Sequence, residues 1–208
     1  MTKKYVKGDK TKETILKKSE TLFANQGFEK TTVRQIAKAA GVNVAAIFYH
    51  FKTKENLHQE IFESCFSKVN LDIKMALESS KRADEKIKDM IFALVTSPSQ
   101  HTNIHQIIIR ETINRSKHLE QIIKKYIQKN HDLIEDTIKE GIKIETFKDY
   151  DPMLCTFSLV GMVLFYFTYQ PIIESIDKEK HTMDHVVENI YNVFINGMRK
   201  GSARYCKS

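Results

Sequence analysis

Thr31-Thr32-Val33-Arg34-Gln35-Ile36-Ala37-Lys38-Ala39-Ala40-Gly41-Val42-Asn43-Val44-Ala45-Ala46-Ile47-Phe48-Tyr49 spells two short helices joined at a glycine. Thr32 and Gln35 have the spacing of a capping box: the Thr32 hydroxyl accepts from the Gln35 amide, and the Gln35 side chain reaches back. The helix begun there runs to Ala39 or Ala40, and Gly41 ends it by taking the positive φ that follows a helix. Asn43 then offers its side-chain oxygen as N-cap to a helix ending near Tyr49. Ile36, Val42 and Ile47 are expected to pin the two helices together, while Ala37 permits close approach at their crossing. This is the plan of a helix-turn-helix, whose second helix enters the DNA major groove by its N-terminal end.

Working outward, Ile15, Leu16, Ser19, Leu22 and Phe23 fall at helical spacing between lysines and predict an amphipathic helix ended by Gly27. Downstream, Thr53 opens a helix with Glu55 near its positive end. Its apolar positions Leu57, Ile61, Phe62, Phe66, Val69, Ile73 and Leu77 run on without a break. The boundary between a head at 1–55 and a body at 56–208 therefore falls inside a helix. Further helices are predicted near 83–97, 103–115, 117–141, 151–172 and 182–200, with breaks at Pro98, near Ser116, over 141–150 and over 176–180. The expected class is all-α, with an N-terminal three-helix head joined through a long helix to a C-terminal helical domain for ligand binding and dimerisation.

Composition agrees. Hydrophobic residues at 41% and charged residues at 28% of the 208 exclude a disordered chain and a mainly membrane-embedded one. Only 3 prolines and 7 glycines interrupt it, which suits long helices. Residues 1–58 hold 12 Lys/Arg against 5 Asp/Glu, while the rest balances at 21 of each, so the whole formal charge of +7 sits in the head. A basic head attracts a polyanion by releasing its condensed counterions, and an acidic membrane surface would attract it too. Lys3, Lys4, Lys7, Lys10 and Lys12 read as a solvated tail. Cys65, Cys155 and Cys206 are scattered and odd in number, suggesting no disulfide framework or thiolate metal site. With no apolar stretch after the N-terminal lysines, a cytoplasmic location is expected.

Pro152 to Ile173 carries no charge over 22 residues, enough to cross a bilayer. Pro171 and Gln170, internal Thr156, Ser158 and Thr168, and acidic Asp149, Asp151, Glu174 and Asp177 at both ends argue against spanning. A helix buried in a core or an oligomer interface is expected instead.

The run Thr31 to Val42, followed by Phe48-Tyr49-His50-Phe51-Lys52-Thr53-Lys54-Glu55-Asn56-Leu57 and preceded by Leu22-Phe23-Ala24-Asn25-Gln26-Gly27-Phe28, resembles the signature of the TetR family of transcriptional regulators. The likeness covers about residues 11–62; beyond them only the helical plan is similar. It implies a homodimer with two heads on a palindromic double-stranded operator, a ligand pocket in the C-terminal bundle and, most often, repression. It implies DNA contacts at Arg34, at Val44, Ala45, Ala46, Phe48, Tyr49 and His50, and at Lys54, with the caps Thr32 and Asn43 beside them. The family often has tyrosine where this chain has Phe48. Either Tyr49 takes over the phosphate contact of that hydroxyl, or Phe48 packs against thymine methyl groups or the head's own core. Base reading would then lean on apolar contact, on Arg34 reaching guanine, and on DNA shape. Phe51 reads as core, Tyr49 as core or DNA contact, and His50 and Lys54 as phosphate contacts on an exposed basic side.

In the body, Arg110 and Glu111 interrupt an isoleucine run, and Glu111 falls on the face of Ile107 and Ile108, where a carboxylate needs a partner. An internal ion pair or water-linked bond is one account; orienting a polar group of a ligand is the other. Phe62, Phe66, Phe92, Phe157 and Tyr166 join these two as candidate pocket residues for a small, largely hydrophobic or aromatic effector, with plain core packing as the alternative. The helices near 151–172 and 182–200 are expected to form the homodimer interface, with Gly161 and Gly197 allowing close approach. His101 and His105, like His181 and His185, stand four apart but lack a third ligand, so surface histidines are expected and no metal or other cofactor. No GxSxG, GxGxxG or GxxxxGK motif indicates an enzyme. A nonspecific DNA binder and a membrane-associated helical protein are the alternatives.

Overall fold

The computed structural model describes residues 3–97, 103–116, 118–177 and 181–200, with side chains from Lys10 onward. The expectations for the side chains of Lys3, Lys4 and Lys7, and those for Pro98, His101 and Cys206, lie outside what is described. Among the described residues ten α-helices run in order: α1 Lys3–Gln26, α2 Val33–Ala40, α3 Val44–Phe51, α4 Lys54–Leu77, α5 Ala83–Thr96, α6 Ile104–Ile113, α7 Leu119–Ile122, α8 Gln128–Lys143, α9 Pro152–Ile176 and α10 Met183–Met198. The all-α class and its helix-turn-helix head are as the sequence predicts, and no strand occurs among the described residues beyond one isolated bridge, Phe147 with Arg199. One predicted helix is divided. Between α7 and α8 lies a π turn, Ile123–Ile127. Asn70 Nδ2 donates to the Tyr126 carbonyl of that turn at 3.0 Å, and Asn130 donates to Asn70 Oδ1 at 2.8 Å. A π turn displaces carbonyls from the regular ladder, and side-chain amides can occupy them.

The chain divides into two compact units, the first drawn from Met1–Ser67 and His101–Ile123, the second from Lys68–Gln100 and Lys124–Ser208. In the first unit α1, α2, α3 and the start of α4 close over Ile15, Phe23, Phe28, Ile36, Ile47, Phe51, Leu57 and Ile61, all buried. The α1–α2 turn begins at Gly27, whose φ of +84° suits glycine. It is tied internally by Thr31 Oγ1 donating to the Gly27 carbonyl at 2.7 Å. α6 is bonded to α1 at two points: the Asn103 amide donates to Glu20 Oε1 at 2.6 Å, and Arg110 donates to the carbonyls of Ala24 at 3.2 Å and Asn25 at 3.0 Å. A carboxylate thus meets the positive end of α6 and a guanidinium the negative end of α1, the sense that both helix dipoles favour. Burial pushes the Glu20 carboxyl up, against the lowering pull of the Asn103 amide and Lys17.

His58 lies on α4 inside the first unit, 4% exposed, with Phe23, Phe28, Phe62 and His118 around its ring. Burial pushes it down to about 3, helped by the neighbouring His118 and Lys54. Its Nε2 lies 3.9 Å from Glu111 Oε1. Because the imidazole is neutral at ordinary pH, that approach is a polar contact and not an ion pair.

In the second unit α5 packs against α10 and α8, and α8 against α9. α5 buries Ile87, Met90 and Ile91, and α10, packed against it, buries a stripe of Val186, Val187, Ile190, Phe194 and Ile195. That stripe is therefore packed within the protomer, and of α10's large apolar side chains only Val193 is exposed, at 60%. α9 behaves differently. It buries Thr156, Leu159, Val163 and Phe167 on one side, but Leu154, Phe157, Phe165 and Ile176 are 56% to 80% exposed on others. The expected burial of this apolar run is not met within one chain, because its period supplies more than one apolar face. α9 is the one helix among the described residues long and apolar enough to cross a membrane.

Two consequences can be measured. His58 takes up protons more readily unfolded than folded, so its contribution to stability is complete above about pH 6.5 and falls as the pH drops toward 3, by about 1.4 kcal/mol per pH unit. In urea melts followed by far-UV circular dichroism, His58→Phe should remove one proton's worth of this slope between pH 6.5 and 5. A Cβ on Gly141 would run into the fully buried Phe147 ring. Gly141→Ala should therefore lower stability by about 1–3 kcal/mol despite alanine's better helix propensity, with the same melts at pH 7 as the measure.

Candidate nucleic-acid interface

The helix-turn-helix is built from local hydrogen bonds before any packing. Thr32 Oγ1 accepts from the Gln35 amide at 3.2 Å, and Gln35 Oε1 accepts from the Thr32 amide at 2.7 Å, closing the capping box. Gly41 ends α2 with φ +66°, and the Val42 amide turns back to the Ala37 carbonyl at 3.0 Å. Asn43 Oδ1 accepts from the Ala46 amide at 2.8 Å and starts α3. Ile36, Ala37, Ile47 and Phe51 face the core, which fixes by elimination what α3 turns outward. That face is Ala45, Phe48, Tyr49 and Lys52, all exposed.

Phe48 is 47% and Tyr49 78% exposed, so neither is a core aromatic. Val44, Ala46 and His50 are half-buried at the flanks, and Tyr49 and His50 meet edge to face at 5.1 Å. Thr32, Arg34, Lys38 and Asn43 are exposed on the same unit. From Lys30 to Lys54 there are five basic residues and no Asp or Glu. A surface of this charge attracts phosphates from any direction of approach.

Lys54 departs from the sequence expectation of a side chain on the exposed basic side. Its ammonium is turned inward, donating to the carbonyls of Phe28 at 2.9 Å and Thr31 at 3.0 Å and lying 4.0 Å from the Phe28 ring centroid. Two of its three N–H groups are thereby used inside the unit, leaving one for any phosphate. Nothing in the sequence signalled this, since the acceptors are 23 and 26 residues away.

The candidate ligand residues fall in both units, and neither unit holds all seven. In the first, Phe62 is buried and stacks with Phe66 at 6.2 Å, Arg110 is bonded to the end of α1, and Glu111 is 5% exposed beside His58. In the second, Phe92 is half exposed and Phe157 meets the His131 ring at 4.8 Å. Tyr166 lines a cleft of about 260 Å³ with Ile173, His181, His185, Val186, Asn189 and Ile190, which the sequence reading did not assemble. Its walls come from α9, from α10 and from His181 just before α10, and no spacing within either helix reveals that they face each other. His181 lies 3.4 Å from Asp177 and edge to face with His185, and no group of three or more metal-ligating residues occurs among the described residues.

Residues 15–61 match the model of bacterial regulatory proteins of the tetR family, and residues 81–199 match the C-terminal domain of the HTH-type transcriptional dual regulator CecR. Among curated proteins of Bacillus subtilis (strain 168), the chain is 29% identical over 135 residues to the probable HTH-type transcriptional regulator YttP, covering 64% of this chain and 65% of YttP. It is 26% identical over 169 residues to the uncharacterized HTH-type transcriptional regulator YhgD, covering 81% and 88%. The solved structure of AibR in complex with isovaleryl coenzyme A and operator DNA shares the fold, with a TM-score of 0.69 at 16% identity over 88% of this chain and 97% of that one. With its two domain matches covering the head and most of the body, the chain belongs to the TetR family of bacterial transcriptional regulators.

Proposed function

We propose that this protein is a cytoplasmic, homodimeric transcriptional repressor that holds a palindromic operator and is released from it by a small, largely hydrophobic or aromatic effector. The observation that carries the DNA-binding reading is the open outward face of α3 in a head without a single acidic residue between Lys30 and Lys54. Arg34, exposed in the first turn of α2, is the side chain suited to a guanine or a phosphate. Residues 1–55 serve DNA binding and 56–208 sensing and dimerisation, with α4 contributing to both compact units.

Dimerisation is supported by α9. Leu154, Phe157, Phe165 and Ile172 leave apolar surface on a helix whose other side is already packed, and a second copy of the same helix would cover it. The effector reading is supported by the Tyr166 cleft, floored by Ile173, Val186 and Ile190, and by the half-exposed Phe92 and Phe157 in the same unit. AibR holds an acyl-coenzyme A and operator DNA on this fold. An effector shifts operator binding only by its differential affinity for two states, commonly about 1–3 kcal/mol.

Selection from a random duplex pool at two salt concentrations tests the reading. A palindrome should be recovered, its half-sites about 34–36 Å apart or a multiple of that. Random bound sequences with salt-sensitive affinity would overturn it in favour of nonspecific binding, and recovery of the protein with membranes would overturn the cytoplasmic assignment. On the recovered operator, Arg34→Ala should cost about 1–3 kcal/mol and relax one base position if Arg34 reads guanine, or weaken all sequences alike with a shallower salt dependence if it holds a phosphate. Phe165→Glu should convert the dimer to monomer in sedimentation equilibrium, since a carboxylate cannot be buried unpaired against the partner helix.

A further inference from the structure

We propose that α3 selects its half-site through thymine C5-methyl groups, with Phe48 the specificity-determining residue and Ala45 beside it. The proposal rests on the DNA-binding reading above and adds the chemistry of the bases read. The outward stripe of α3 is Ala45, Phe48 and Tyr49 before Lys52, and over its first five residues, from the end that enters a major groove, Val44, Ala45, Ala46 and Phe48 carry no hydrogen-bonding side chain. Asn43 has its carbonyl oxygen committed to the Ala46 amide.

The apolar part of this surface, Val44 to Phe48, cannot decode the donor and acceptor pattern that separates most base pairs. The one apolar feature in the major groove is the thymine methyl. Phe48 is free to meet it. Its ring is 47% exposed and makes no contact with another ring among the described residues, whereas Phe51, one turn on, is 2% exposed and belongs to the core. The surrounding charge suits DNA and not an apolar protein partner: Arg34, Lys38 and Lys52 are exposed, and no carboxylate lies in the stretch that contains them. Lys38 and Lys52 hold the backbone, and the apolar stripe is pressed onto base edges.

The test uses the full-length protein and the duplex recovered by selection. Each thymine is replaced in turn by deoxyuridine, which removes the methyl and keeps the pairing and the O4 acceptor, and affinity is read by fluorescence anisotropy at fixed salt. One or two positions per half-site should weaken roughly fourfold, the value of one buried methyl-sized group. Phe48→Ala should bind the thymine duplex more weakly and no longer distinguish it from the deoxyuridine duplex, while Phe48→Leu should retain the distinction. Circular dichroism melts should leave Phe48→Ala as stable as the parent. If a palindrome is recovered but every deoxyuridine substitution is silent, or if Phe48→Ala lowers affinity for both duplexes equally, the proposal is overturned while the regulator reading stands. If no palindrome is recovered, the regulator reading falls first.

Discussion

Lys54 holds the head together from inside. The turn between α1 and α2 leaves the carbonyls of Phe28 and Thr31 pointing into a part-buried space, and one ammonium from the first turn of α4 satisfies both while resting on the Phe28 ring. Backbone acceptors removed from water have to be paired. Charge-assisted bonds are the stronger way to do it. The consequence reaches α3, because α2 and α3 are fixed between the turn that Lys54 grips and the helix that carries it. Thr31 and Gln26 complete the same knot, with Gln26 Nε2 donating to Thr31 Oγ1 at 3.1 Å and to Gln35 Oε1 at 3.3 Å, so the capping box of α2 is bonded to the end of α1.

The head does not end where the DNA-binding signature ends. α6 lies in the same compact unit as α1, with Glu20 at its N-terminus and its own Arg110 on the last carbonyls of α1. Two opposite charges at two helix ends form a seam that resists sliding in either direction. Glu111, one residue on, brings a carboxylate to the neutral His58 within an aromatic cluster. Arg110 and Glu111, which the sequence allowed either as internally partnered groups or as the polar lining of a ligand pocket, are engaged at a helix–helix seam.

The second unit solves a different problem. α10 packs its apolar stripe against α5, with Val193 left exposed. α9 keeps apolar side chains exposed after packing on α8. A helix apolar on several faces has a weak period, and a weak period cannot say which face meets the core and which meets another chain.

The sequence by itself determined what depends on residues a few positions apart. Thr32 with Gln35, Gly41, Asn43 with Ala46 and Thr53 with Asn56 form bonds across three residues or set one φ angle, so the caps and the glycine turn were legible, and with them the helix-turn-helix and the family. The stripes of α4 and α10 were legible for the same reason. Only the tertiary structure decided that Lys54 turns inward, that Arg110 binds the end of α1, that Phe48 faces solvent while Phe51 does not, that α9 keeps open apolar faces, and that Tyr166 and His185 share a cleft. Lys54, Arg110 and the cleft each join groups about 20 or more residues apart. Phe48, Phe51 and α9 turn on which face of a helix its neighbours cover, and helical period records the existence of an apolar face without naming what covers it.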